Sequence, residues 1–222
     1  LQVLTGAPSV GDSSPLRDRI AAIVTPAMVD EIAAERRKGR LVDTIHISQR
    51  PAEAEDRAVP GHWEGDLILG KAAGSAIGTL VERSSRFVML VHLPKRRTAE
   101  DFAEALVPVL RTLPAQLRRS LTWDQGKEMA LHKSISFEAE IPLYFCDPRS
   151  PWQRGSNENT NGLLRQYFPR DVSLHQFTPA DLDEVARKLN SRPRKTLDWQ
   201  TPAQRLEALL CGHQISRGAS TG

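Results

Sequence analysis

Three acidic residues lie where a carboxylate could hold a metal ion. Asp66 interrupts the apolar run HWEGDLILG, Asp124 ends the run SLTWD, and Glu158 lies within SNENTNG. A buried carboxylate is costly unless it is paired, hydrogen-bonded or bound to a metal, and three that converge must take up protons or bind cations. Their hard oxygen atoms suit Mg²⁺ or Mn²⁺. Two such ions about 4 Å apart can activate a water or a 3′-hydroxyl and stabilise the leaving oxygen of a phosphodiester.

Each of these acids also has a simpler interpretation. Glu158 could be an acid favoured by the helix macrodipole in a first turn, with Ser156 or Asn157 as the N-cap. Asp66 could be a salt-bridged strand residue, and Asp124 could begin a turn before Gln-Gly. The chain holds 27 acidic residues, so spacing alone leaves these alternatives open.

The runs of residues around the acids predict an α/β fold. Short apolar and β-branched runs predict strands at 62–70, 76–83, 87–94, 120–124 and 141–147. Helices are predicted at 98–114, 127–140, 156–168, 181–190 and 201–210. An antiparallel meander followed by alternating strands and helices indicates a ribonuclease-H-like mixed five-stranded sheet with flanking helices. If the first and fourth strands are neighbours, Asp66 and Asp124 lie side by side and Glu158 approaches from its helix.

Several helix boundaries carry recognisable signals. Thr98 followed by Asp101 is an acidic variant of the capping box. Pro108 predicts a kink or break within the helix at 98–114. Thr25 and Pro26 predict the start of a further helix, which runs to residue 40.

The chain is expected to fold as one core with an extension. The polar, proline-bracketed segment 50–61 is predicted to be a linker or arm. We therefore predict an N-terminal extension and linker at 1–60, partly irregular, a core with C-terminal helices at 61–210, and a flexible tail at 211–222.

Composition excludes some classes of protein and leaves others open. Of the 222 residues, 40% are hydrophobic and 26% charged, which is typical of a globular protein, and no run of eighteen apolar residues predicts a membrane span. The N-terminal residues lack the features of a signal peptide, so a cytoplasmic location is expected. The net charge of +3 is mildly basic and does not by itself indicate nucleic-acid binding.

Four stretches resemble, in order, the catalytic core of insertion-sequence transposases of the IS-thirty family: GHWEGDLILG, LTWDQGKEMALH, YFCDPRSPWQRGSNENTNGLLRQYFPR and LNSRPRKTLDWQTPAQRL. The resemblance runs from about His46 to about Leu209. That family belongs to the larger group of DDE transposases and retroviral integrases. The resemblance implies a ribonuclease-H-like fold and phosphoryl transfer at a site holding two ions of Mg²⁺ or Mn²⁺.

The resemblance also assigns roles to single residues. The three metal-binding, catalytic acids of the family match Asp66 of WEGD, Asp124 of LTWDQGKE and Glu158 of NENTNG. The basic position after the third acid matches Arg165, which implies a contact with DNA. Because positions 158, 161 and 165 share one face of a helix, Glu158, Asn161 and Arg165 are predicted to line one groove, in which Asn161 and Arg165 contact DNA.

Residues near these motifs are predicted either to contact DNA or to pack. Lys127, Arg154 and Arg194 are predicted phosphate contacts, with plain surface positions as the alternative. Trp152 and Tyr167 could stack on unpaired bases or pack in the core. Packing or structural roles are predicted for four more residues: His62, Trp63, Trp123 and Trp199.

The sequence thus predicts a DDE transposase core. Water would attack a phosphodiester at the end of an element, and the freed 3′-hydroxyl would attack target DNA. The predicted partners are double-stranded DNA, as transposon ends and target, and further copies of the chain, inside a bacterial cell.

Two alternatives to this function remain. Family members carry a helix-turn-helix region ahead of the core, and residues 1–45 show no such motif. A shortened chain is therefore expected, and it could be a non-catalytic DNA-binding remnant that inhibits full-length transposase. The second alternative is a ribonuclease-H-type nuclease that cuts strands without joining them.

Overall fold

The computed structural model describes residues 41–71, 75–93 and 98–218. The helix predicted at residues 25–40 lies outside these ranges. None of the described helices is long and apolar enough to cross a membrane.

Five strands form one mixed sheet. They span His62–Leu69 (β1), Ala76–Glu82 (β2), Val88–Leu93 (β3), Ser120–Trp123 (β4) and Leu143–Phe145 (β5). Their order across the sheet is β3-β2-β1-β4-β5. The first three strands pair antiparallel as a meander, whereas β4 pairs parallel with β1 and β5 pairs parallel with β4. The predicted meander is confirmed, and the first and fourth strands are neighbours, which was the condition for Asp66 and Asp124 to lie side by side.

Helices cover the two faces of the sheet. The α-helices span Ala99–Arg111 (α1), His132–Ala139 (α2), Gly155–Leu164 (α3), Pro179–Asn190 (α4) and Pro202–Gly218 (α5). One hydrophobic cluster joins α1 and α2 to one face of the sheet, and a second cluster joins α3 and α4 to the other face. Alternate residues of β2 supply both clusters, Leu80 to the first and Val81 to the second, because successive strand residues point to opposite faces.

Two helix predictions differ from the structure. The helix predicted at 127–140 is a 3-10 helix at Lys127–Leu131 followed by α2. The helix predicted to reach residue 168 ends at Leu164, where the main chain tightens into shorter-range hydrogen bonds ahead of Pro169.

The capping signals before α1 are confirmed. The hydroxyl of Thr98 accepts a hydrogen bond from the main-chain N–H of Asp101 at 3.1 Å and donates one to its carboxylate at 2.9 Å. Pro108 does not break this helix, which continues to Arg111.

The polar segment predicted as a linker packs against the sheet. Short 3-10 helices span Ile47–Gln49 and Ala52–Ala54, and the Ala54 side chain is fully buried. Arg50 is also buried and donates a hydrogen bond to the hydroxyl of Thr122 in β4 at 3.1 Å. His46 forms a parallel bridge with Phe145, so the chain here continues the sheet beyond β5.

Candidate active site

Strand pairing brings two of the three predicted acids together on neighbouring inner strands of the sheet. Glu64 of β1 lies opposite Thr122 of β4 in a parallel pair, and Asp66 and Asp124 each follow two residues later. The guanidinium of Arg154 lies between their carboxylates. Its Nη1 is 3.2 Å from Asp66 Oδ1, and its Nη2 is 3.3 Å from Asp124 Oδ2.

Gly65 allows the two strands to lie this way. A Cβ atom added at Gly65 would be 1.9 Å from the ring of Trp123, which is closer than any real contact. The buried indole of Trp123 therefore occupies the space that a side chain at position 65 would need. This packing sets the last residue of β4 against β1, directly beside the two acids.

The Asp66 carboxylate is oriented from two sides. Its Oδ1 accepts a hydrogen bond from the main-chain N–H of Leu67 at 2.9 Å, and its Oδ2 accepts one from Nδ2 of Asn161 at 2.9 Å. The other amide atom of Asn161, Oδ1, is buried without a hydrogen-bond partner. Asn161 was predicted to face DNA, and here its amide instead contacts the first acid.

The Asp124 side chain is partly buried. Burial raises the pKa of its carboxyl group, the nearby Arg154 lowers it, and the charge of Asp66 raises it further. Its Oδ1 also accepts a hydrogen bond from the main-chain N–H of Gly126 at 3.2 Å, as expected of an aspartate that begins a turn. The carboxyl group is therefore poised to gain from a cation, which would offset both the burial and the neighbouring charge.

Glu158 lies apart from this pair. It is exposed in the first turn of α3, on the same helix as Asn161. Among the residues that the structure describes, no group of three or more His, Cys, Asp and Glu side chains is close enough to hold a metal ion. The structure thus brings Asp66 and Asp124 together around Arg154 and leaves Glu158 on the adjoining helix.

A buried acid that the sequence analysis missed fixes the start of that helix. The Glu64 carboxylate, fully buried, accepts hydrogen bonds from the main-chain N–H groups of Ser156 at 2.9 Å and Asn157 at 3.0 Å. The alternative that Ser156 or Asn157 is the N-cap is therefore wrong. The helix α3 already begins at Gly155, and the Glu64 carboxylate binds the free main-chain N–H groups at its start. Glu64 stands two residues before Asp66 and so shares its face of the strand, which was the available signal.

Polar contacts around Glu64 connect α3 to two strands. Arg83 forms an ion pair with the Glu64 carboxylate and donates from Nε to the carbonyl of Ala54 at 2.9 Å. Asn157 Nδ2 donates to the carbonyl of Glu64 at 2.8 Å, and its Oδ1 accepts from the hydroxyl of Thr79 at 2.9 Å. Since all these groups are buried and paired, they hold the helix that carries Glu158 in one position.

The residues Lys127, Arg165 and Arg194, predicted to contact DNA, differ in burial. Lys127 is exposed three residues after Asp124. Arg165 is partly buried and donates to the carbonyls of Leu69 at 2.9 Å and Phe168 at 3.3 Å, which ties the end of α3 to the end of β1. Arg194 donates to the carbonyl of Leu189 at 3.4 Å, after α4.

The aromatic residues differ from one another in burial. Trp152 is 73% exposed, which leaves its indole free to stack, whereas Tyr167 packs against the second hydrophobic cluster. Trp63 and Trp123 are fully buried as predicted, but the packing role predicted for Trp199 is wrong, because that side chain is 70% exposed. Buried His62 is within hydrogen-bond distance of Ser120, at 2.7 Å, in the structural role predicted for it. 

The side chains of Asp66 and Asp124 suit a hard divalent cation. Two carboxylates offer oxygen atoms, which are the ligand type that Mg²⁺ and Mn²⁺ prefer. The guanidinium of Arg154 already occupies a cationic position between the two carboxylates. The oxygen chemistry of the two carboxylates is therefore compatible with a divalent cation.

Comparison with known proteins agrees with this arrangement. Residues 56–151 match the family model "Integrase core domain". The chain is 47% identical over 198 residues to the transposase for insertion sequence element IS1086 from Cupriavidus metallidurans, a match that covers 88% of this chain and 58% of that protein. It is 46% identical over 173 residues to the transposase InsI for insertion sequence element IS30A from Escherichia coli, which covers 78% of this chain and 45% of that protein.

The chain belongs to the IS-thirty family of insertion-sequence transposases. It spans about half the length of these relatives, with 58% and 45% of their lengths matched. DDE transposases with an integrase core domain use divalent metal ions.

A solved structure confirms the predicted fold of this family member. A chain in the cryo-electron microscopy structure of the simian T-cell lymphotropic virus intasome, in complex with PP2A regulatory subunit B56 gamma, matches with a TM-score of 0.53. The match covers 75% of this chain and 59% of that one, at 21% identity. The fold is therefore ribonuclease-H-like, with a mixed five-stranded sheet and flanking helices.

Proposed function

We propose that this chain is the catalytic core of a DDE transposase, which cleaves a phosphodiester at the end of an insertion sequence and transfers the freed strand to target DNA. The observation that carries the proposal is the pairing of Asp66, within β1, and Asp124, directly after the parallel neighbour β4, around a cationic group. Family membership, with two relatives named as transposases, supports the same reaction. Both steps are in-line displacements at phosphorus, first by water and then by a 3′-hydroxyl.

Three acids would hold the metal ions of this reaction. Asp66 and Asp124 would be ligands from the sheet, and Glu158 would be a ligand from α3, with two ions of Mg²⁺ or Mn²⁺ per site. When bound, such ions lower the pKa of the attacking oxygen and offset the charge that develops on the phosphate and on the leaving oxygen. The two-ion count rests on the family resemblance, and the oxygen-only chemistry of the side chains supports the choice of ion.

The other residues of the site would position ligands and DNA. Asn161 keeps the Asp66 carboxylate turned toward Asp124 through its 2.9 Å hydrogen bond. Exposed Lys127 and partly buried Arg165 would supply positive charge for DNA phosphates, and Arg194 would add charge after α4. The substrate would be double-stranded DNA, as transposon ends and target, and several copies of the chain would assemble on it.

Nicking of supercoiled plasmid tests this proposal. The full chain and its Asp124→Asn variant are purified identically and incubated with plasmid in Mn²⁺ and, separately, in EDTA. The substitution is nearly isosteric, so the fold is retained while one metal ligand is lost; circular dichroism checks this. Nicking by the wild type that requires Mn²⁺ and vanishes in the variant is expected.

The other outcomes of this assay are informative as well. DNA binding without nicking by either protein would favour the non-catalytic DNA-binding remnant. Equal nicking by both proteins would show that Asp124 is not a catalytic acid. Nicking without joining, scored with labelled oligonucleotide ends and a target plasmid, would favour the nuclease alternative.

A further inference from the structure

Arg154 is the most unusually placed charged residue near the acids. Its side chain is only 8% exposed, and it was predicted as a DNA phosphate contact. Instead it donates from Nη1 to the carbonyl of Gly65 at 2.8 Å and forms ion pairs with Asp66 and Asp124. A guanidinium in this position offsets part of the negative charge of the two carboxylates that the proposed function assigns to metal binding.

The contacts of this guanidinium are incomplete. Both ion-pair distances, 3.2 Å and 3.3 Å, are longer than the 2.7–2.9 Å of a strong charge-assisted hydrogen bond. Its Nε is buried and has no hydrogen-bond partner. Arg154 is therefore held by charge rather than by a fully satisfied set of hydrogen bonds, which is the arrangement expected of a group that can leave.

The guanidinium and a divalent cation cannot share these carboxylates. Mg²⁺ binds carboxylate oxygens at about 2.0–2.1 Å, so an ion bound to Asp66 Oδ1 and Asp124 Oδ2 would lie within the volume between them. That volume now contains Nη1 and Nη2 of Arg154, and two like charges so close would repel strongly. Binding of one excludes the other.

The Arg154 side chain lies close to the protein surface. It ends the 3-10 helix Pro151–Arg154, directly before α3, and Trp152 on the same short helix is 73% exposed. The side chain can therefore leave toward the surface without unfolding α3, whose start is held separately by Glu64.

We propose that Arg154 is an internal counter-ion that closes the site in the absence of metal and must be displaced for a divalent cation to bind between Asp66 and Asp124. This inference rests on the proposed function, since it takes these two acids to be metal ligands. Arg154 thus stabilises the metal-free protein and weakens its affinity for the ion. Once displaced, its positive charge lies beside the acids at the surface, where a DNA phosphate would be bound.

Calorimetric titration of the DNA-free chain with Mn²⁺ tests this inference. Arg154→Gln keeps the side-chain length and removes the charge. Removal of a competing ion pair of this kind should tighten Mn²⁺ binding about tenfold. Arg149→Gln makes the same substitution at an exposed position five residues before Arg154 and controls for the general loss of positive charge. It should change the affinity by less than about threefold, because exposed charges are screened. In EDTA, Arg154→Gln should melt at a lower temperature than the wild type and should gain more from added Mn²⁺.

A second measurement follows the Arg154 guanidinium in the wild-type protein. The Nε–H signal of Arg154 in ¹⁵N-labelled protein, assigned by its absence from Arg154→Lys, should move when Mg²⁺ is added, since the guanidinium leaves its buried position. Unchanged or weaker Mn²⁺ binding in Arg154→Gln, or an Nε–H signal unmoved by saturating Mg²⁺, would overturn the inference.

Asp124→Asn separates this inference from the proposed function. If Asp124→Asn loses Mn²⁺ binding while Arg154→Gln does not tighten it, only the role of Arg154 fails. If Asp124→Asn binds Mn²⁺ as the wild type does, the assignment of the metal site fails, and the role of Arg154 fails with it.

Discussion

The side-chain carboxylate of Glu64 accepts a hydrogen bond from the main-chain N–H of Asn157 at 3.0 Å. This contact joins the first strand to the first turn of α3, and the same turn carries Glu158. A buried acid in the sheet therefore does the work of an N-cap that the helix lacks in its own sequence. The position of the third predicted acid depends on a residue that is itself remote from solvent.

Glu64→Gln should destabilise the protein strongly. The substitution keeps the shape of the side chain but removes the buried charge that pairs with Arg83, a loss that typically costs about 3–5 kcal/mol. Arg83 then keeps only a 3.7 Å ion pair with the exposed Glu55. Urea unfolding of the metal-free protein measures it. Glu184→Gln, which removes an exposed acid paired with Arg187, is the matched control and should change stability little. Equal stability of the two variants would mean that Glu64 does not hold α3.

Gly65→Ala should separate β1 from β4. The added methyl group would meet the ring of Trp123 at 1.9 Å, and overpacking of this kind costs about 1–3 kcal/mol. Gly162→Ala on α3 is the matched control, because nothing lies within 4 Å of a Cβ there, and alanine in a helix should add about 0.5–1 kcal/mol. Thermal melts of the two variants should thus move in opposite directions. A Gly65→Ala protein as stable as the wild type would contradict this packing.

His62→Gln should flatten the acid side of the stability profile. Burial lowers the pKa of His62 below its ordinary value of 6.5. The unfolded chain therefore binds a proton that the folded chain resists, so stability is lost as the pH falls below about 6.5. Glutamine does not titrate and can keep hydrogen bonds to Ser120 and Glu53. The slope of unfolding free energy against pH, measured by urea unfolding between pH 5 and 6.5, should decrease. It should not vanish, because burial also lowers the pKa of His92 and His132. An unchanged slope would show that His62 is not buried as a neutral ring.

The two cysteines should differ sharply in reactivity. Burial raises the pKa of the Cys146 thiol to about 11, so little thiolate is present at pH 8, whereas Cys211 is exposed. A chromogenic disulfide reagent should modify one thiol quickly in the native protein and the second only after denaturant is added. Cys211→Ser should abolish the fast phase. A fast phase that persists in Cys211→Ser would place Cys146 at the surface.

Much of the sheet and part of the site could be predicted from local sequence. The strands near Asp66 and Asp124 are short apolar runs, and the chain order of strands and helices indicated the mixed sheet in which these runs could be neighbours. Such signals lie within a few residues of one another. The family resemblance then picked these two acids and Glu158 out of the 27 acidic residues.

The remaining features depend on partners far apart in the chain. Glu64 and Arg50 are charged, and by composition both would be placed at the surface. They are buried because each finds a polar partner from another segment, Arg83 for Glu64 and Thr122 for Arg50. Arg154 was predicted to face DNA for the same reason: its contact with the two acids exists only once three separate segments have come together. Local patterns carry no information about such pairings.

The short segment that precedes β1 also protects the sheet. The carbonyl oxygen of Ile45 accepts a hydrogen bond from the main-chain N–H of Phe145 at 2.8 Å, so this segment covers the outer side of β5. A core trimmed to begin at Gly61 would expose that side as an open row of hydrogen-bonding groups, on which a second molecule could add its own strand. It would also leave Arg83 without the carbonyl of Ala54. Aggregation of such a shortened protein would follow from a bare sheet edge and would say nothing about its chemistry.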